Sequence, residues 1–93
     1  MPGGATSTRE ANEEIALYAG NATQRWFGVS LLDPKESREI LEQIAGNAAE
    51  DLGVRRTAIS KLDATQSVTL LRRLEGLDSA PEVRQAAKSK LRR

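Results

Sequence analysis

The chain has no cysteine and no histidine, so the side chains left for chemistry are carboxylates, guanidiniums, amines, hydroxyls, amides and three aromatic rings. Without thiols there is no disulfide framework, thiolate zinc site or cysteine nucleophile. Without imidazole the commonest general base and transition-metal ligand are missing, which removes Ser-His-Asp, Cys-His and zinc chemistry. Acid–base work would fall to carboxylates, and two groups have suitable spacing: Glu13 with Glu14, and Asp33 with Glu36 and Glu39. Both fall on helix faces expected to be exposed, where acids are solvated rather than held in a pocket. The sequence has no phosphate-cradling glycine loop and no calcium loop of alternating Asp and Asn. It predicts a non-enzyme with no catalytic, cofactor-binding or metal residues.

Binding chemistry is better represented. Arg25, Arg55 and Arg84 recur every 29–30 residues. A periodic guanidinium either bridges structural repeats or presents a row of forked donors to carboxylate or phosphate. The net charge of +1 conceals an asymmetry: residues 1–50 carry 4 basic and 8 acidic side chains, and residues 51–93 carry 10 and 5. The basic half contains Arg55, Arg56, Lys61, Arg72, Arg73, Arg84, Lys88, Lys90, Arg92 and Arg93. Nucleic acid or another polyanion would be held by Arg55, Arg56, Arg72, Arg73, Arg84, Lys88 and Arg92. No aromatic lies in this half to stack on bases, and no nucleic-acid reader motif is present. The aromatics Tyr18, Trp26 and Phe27 all lie near the other end. They either cap the end of a core or form a contact patch, since Trp and Tyr dominate binding hot spots.

These side chains need elements to position them, and the sequence marks helices. Ser7-x-x-Glu10, Asp33-x-x-Glu36 and Ser79-x-x-Glu82 fit the capping box, and Asp63-x-x-Gln66 is a variant. Pro34 and Pro81 stand where a first turn tolerates proline. Gly20, Gly46 and Gly76 follow apolar-periodic stretches, as left-handed C-terminal caps would. The spacing predicts helices over 8–19, 22–32, 34–45, 51–62, 66–75 and 80–92, with stripes such as Ile40, Leu41, Ile44 and Ala45. No segment alternates with period two, so strands are not expected. Residues 1–7 lack the basic and apolar regions of a signal peptide and read as a flexible lead-in. No apolar run approaches the about 18 residues of a membrane span, so the expected location is cytoplasmic and the partner is not a membrane.

The helices pair into repeats of about 8–32, 33–62 and 63–92, within one domain over 8–93. Residues 51–62 lie over 80–91 with six of twelve positions identical. An earlier copy over 21–32 keeps Arg25, Ser30 and Leu32 and places Gly28 where Ala58 stands. Aligned on their terminal glycines, the preceding helices match Ile15 to Leu41 and Leu71, and Tyr18 to Ile44 and Leu74. Val54, Ala58 and Leu62, like Val83, Ala87 and Leu91, put a small residue mid-helix where a neighbour must approach closely. A lone pair cannot bury both faces, so pairs stack, and three is about the minimum. The connection from Asn47 to Gly53 is longer than its counterparts, and such loops in solenoids often line a binding face.

This Val-Arg-x-x-Ala-x-x-x-Leu pattern resembles the HEAT-like repeat family over residues 8–92, most closely in 51–62 and 80–91. The resemblance implies an all-α fold, a right-handed α-solenoid of about three antiparallel helix pairs. It also implies that Arg25, Arg55 and Arg84 match an arginine that bridges neighbouring repeats. Asp51 fits the family's acidic position loosely, and Ala80 stands in that place in the third copy. The implied function is a protein-binding module or scaffold. Trp26, Phe27, Arg56 and Gln85 would lie along one row of the second-helix surface, with Lys88 nearby. Some members of the family are bilin-attaching lyases, which gives a third and more distant reading. No cofactor is implied.

Overall fold

In a computed structural model, the chain is described over residues 8–92. Among the described residues there are six helices and no strand: α1 (Thr8–Tyr18), α2 (Ala22–Ser30), α3 (Arg38–Gly46), α4 (Leu52–Lys61), α5 (Val68–Leu77) and α6 (Pro81–Leu91). The lead-in expected for residues 1–7, the Ser7 cap and Arg93 lie outside the described residues.

The helix starts show where local chemistry departs from the capping rule. Asn21 and Asp51 cap α2 and α4 through their side chains, accepting from the amides of Gln24 at 2.8 Å and Val54 at 3.1 Å. Asp51 is therefore a helix cap, not the inter-repeat acid that the resemblance suggested. Asp33 and Asp63 do not begin helices as expected. Each accepts two amides, Lys35 with Glu36 and Thr65 with Gln66, and so stabilises a turn. The helices follow at Arg38 and Val68, later than the predicted starts at 34 and 66. The α6 amide end is met by Asp78 rather than Ser79: its Oδ1 accepts from the Ala80 amide at 2.9 Å. The left-handed glycine caps are also corrected, because no described glycine has positive φ. Gly46 and Gly76 are helical, and Asn47 and Asp78 end their helices in extended backbone.

Each helix packs on its successor to form a pair: α1 on α2, α3 on α4 and α5 on α6. Between pairs the contacts are uneven. α2 packs on α4 and α4 on α6 extensively, whereas α1, α3 and α5 touch one another only sparsely. The result is an elongated body of 46 × 27 × 16 Å with one continuous layer of second helices. Its core is aliphatic. Val29, Leu32, Leu41, Ile44, Val54, Ile59, Leu62, Leu71 and Val83 are all buried, each contributing about 1.5–3 kcal/mol relative to exposure. Ala16, Ala45, Ala58 and Ala87 fill the close approaches.

The first pair departs from the others. Ile15 and Tyr18 are exposed, although their glycine-based counterparts Leu41, Leu71, Ile44 and Leu74 are buried. That alignment therefore fails for α1, where Ala16 alone reaches the fully buried core. The reason lies in Gly28. A Cβ there would stand 2.6 Å from the Ala16 amide nitrogen and 2.9 Å from Ile15 Cγ2. Backbone meets backbone at this crossing, and α1 has no room to turn large side chains inward.

Candidate partner-binding surface

Two equivalent joints hold the three pairs together, and they absorb much of the charge that sequence alone offered for binding. At the first joint Arg25 Nε donates to both Glu50 carboxylate oxygens, at 3.1 and 2.9 Å, while its Nη1 donates to the Ala19 carbonyl at 2.8 Å. Lys61 Nζ donates to the Ser30 carbonyl at 2.9 Å, and Ser37 Oγ donates to Glu13 at 2.7 Å. The second joint repeats all three contacts. Arg55 bonds Asp78 through both terminal nitrogens and the Ala45 carbonyl through Nε. Lys90 Nζ donates to the Ser60 carbonyl at 2.7 Å, and Ser67 Oγ donates to Glu42 at 2.6 Å.

This geometry corrects the polyanion set. Arg55 is 1% exposed, so its guanidinium faces protein and not solvent. Arg84 Nη1 is held by the Asp78 carbonyl at 2.7 Å. Arg72 and Arg73 lie on α5, in the other layer from Arg56 on α4, while Lys88 and Arg92 lie at the end of α6. The seven do not form one face. Among the described residues no buried side-chain nitrogen or oxygen lacks a partner, and no three acidic side chains gather as a metal site requires.

The electrostatics of the joint are clearest at Asp78. Burial acts to raise its pKa, but hydrogen bonds from Arg55 and the Ala80 amide, with the charges of Arg55 and Arg84, hold it below the ordinary 3.8. Asp33 and Asp63 are also lowered, chiefly by the amides of Glu36 with Lys35 and of Gln66 with Thr65. In all three the structure favours the ionised carboxylate.

The row predicted from the repeat register is present in part. An open groove of about 1000 Å³ runs along the second-helix layer, and Trp26, Arg56 and Gln85 all line it. Positions 53, 56 and 60 of α4 and 82, 85 and 89 of α6 share its walls, the i, i+3 and i+7 spacing of a helix face. Trp26 is 45% exposed. Arg56 is exposed and makes no hydrogen bond or ion pair among the described residues. Phe27 turns away from this row. It lines a separate apolar groove with Ile15, Ala19, Thr23, Gln24 and Trp26 on the α1–α2 pair. Lys88 is not in the row either, because it occupies the register of buried Val29 and Ile59 and faces the opposite end. Ser60, Glu82 and Ser89 line the groove and were not expected there from sequence, and Lys90, noted only as one of the basic residues, lines it too. Their signal was available as the same helical spacing around Arg56 and Gln85.

Comparison with protein-family models, with curated proteins and with solved structures finds no match for this chain. Among the described residues no helix is long and apolar enough to cross a membrane.

Proposed function

We propose that the chain is a HEAT-like, right-handed α-solenoid of three antiparallel helix pairs that binds another protein in the groove over α4 and α6. The observation that carries this reading is the alignment of Trp26, Arg56 and Gln85 along one open groove. Trp26 supplies a rigid aromatic surface and Arg56 a guanidinium with no internal partner among the described residues, the residue types enriched at binding hot spots. The repeated joints support a rigid scaffold, so that binding would cost little ordering.

The test is affinity capture with wild type and with Trp26→Ala, each washed at rising salt. A protein retained by wild type, lost by a folded Trp26→Ala variant and only modestly salt-sensitive fits the proposal. Capture of nucleic acid that falls steeply with salt would favour the polyanion reading instead.

A further inference from the structure

Trp26, Arg56 and Gln85 stand at one register position of α2, α4 and α6, 30 and 29 residues apart. α2 packs on α4 and α4 on α6, and the axes of packed helices lie about 8–10 Å apart. The row therefore offers one contact per helix at that interval, running across the helices. Its members also share a chemistry. Indole and guanidinium groups only donate hydrogen bonds, and the glutamine amide adds an NH₂. Among the described residues Trp26 and Arg56 donate to no protein group, and Gln85 Nε2 reaches only Ser89 Oγ, at 3.4 Å. The groove between them is lined by small residues, Gly53, Thr57, Ala86 and Ser89.

We infer that the groove takes a proline-rich segment of its partner in the polyproline II conformation, lying across α2, α4 and α6 with an acidic residue at the centre. This rests on the protein-binding reading above and names the kind of segment bound. The spacing decides the conformation. Polyproline II rises about 3.1 Å per residue with three residues per turn, so every third residue returns to the same face about 9.3 Å along. A β-strand covers three residues in roughly 10 Å but turns the third to the opposite face. An α-helix returns to one face after about 10.5 Å, but its width of about 10–12 Å would hold it above the small residues of the groove. A proline-rich chain is also rich in carbonyl acceptors and poor in N–H groups, which suits a row of donors. Charge sets the middle contact. The ionised residues lining the groove are Arg56, Lys90 and Glu82, which leaves an excess of positive charge. Lys90 is already held by the Ser60 carbonyl, and Arg56 is the central member of the row. A carboxylate belongs on Arg56, three residues from an apolar side chain packed on Trp26.

The only tryptophan of the chain lines this groove, so its emission reports occupancy. The probes are the acetylated, amidated peptides PPLPPEPPQPP and its reverse, PPQPPEPPLPP, which cover both chain directions. One of the two should change the Trp26 emission saturably, with a dissociation constant of about 0.1–1 mM. Shifting the glutamate by one position, as in PPLPEPPPQPP for the first peptide, takes the carboxylate off the contact face and should weaken binding at least about tenfold. Arg56→Glu, an exposed change that leaves the core intact, should weaken it by at least as much. No emission change with either peptide at about 1 mM overturns the inference. Equal binding of the shifted peptide, or binding that Arg56→Glu leaves unchanged, overturns it too. If the peptides fail while Trp26-dependent capture of a protein succeeds, the groove reading stands and the polyproline II inference alone falls. If both fail, both fall.

Discussion

Arg55 carries a charge into the interior, and a buried charge is tolerated only while its partners hold. Each of its three guanidinium nitrogens donates a hydrogen bond, Nε to the Ala45 carbonyl and the two terminal nitrogens to Asp78. Asp78→Ala should therefore cost about 3–5 kcal/mol, because it strands the arginine rather than merely deleting a bond. Urea denaturation would measure it. Removing both charges with Arg55→Met and Asp78→Leu should cost much less than the single change. Gly28 is critical for a different reason, since any side chain there collides with the α1 backbone. Gly28→Ala should cost about 1–3 kcal/mol or more, the range for overpacking, whereas Gly20→Ala, with nothing within 4 Å of its Cβ, should be near neutral.

At the level of the element, the two inter-pair turns depend on ionised aspartates. Asp33, Asp63 and Asp78 all have lowered native pKa values. A lowered carboxyl contributes stability above its unfolded pKa and loses it as pH falls through the native value. Stability should thus hold from neutral pH down to the ordinary 3.8 and fall below it. The double variant Asp33→Asn, Asp63→Asn should show a shallower loss, measurable as urea midpoints between about pH 6 and about pH 3. Helix number, order and pairing were legible because apolar stripes and the 51–62 over 80–91 match are dense, local signals. The starts of α3 and α5 were not, because an aspartate accepting two amides looks the same in sequence whether it opens a turn or a helix. The glycines misled similarly: they follow apolar stretches, yet their backbone stays right-handed or extended.

For the whole molecule, the repeat period placed Trp26, Arg56 and Gln85 on one row, and that much of the candidate site could be read before any coordinates. The rest needed three dimensions. Arg55 and Arg56 are neighbours in sequence, but the 100° step of a helix sends one into the joint and the other into the groove. The acids that answer Arg25 and Arg55 are Glu50 and Asp78, which sit at different distances from their helix starts and so break the register. Part of the near-zero net charge is paired inside the molecule, Arg25 with Glu50 and Arg55 with Asp78. The most direct test of the protein-binding groove is quantitative affinity capture comparing wild type with Trp26→Ala, Arg56→Glu and a control variant, Arg72→Ala, on the exposed surface of α5 outside the groove. One protein should be captured, retained by wild type and the control and lost from both groove variants. Equal capture by all four chains would contradict it.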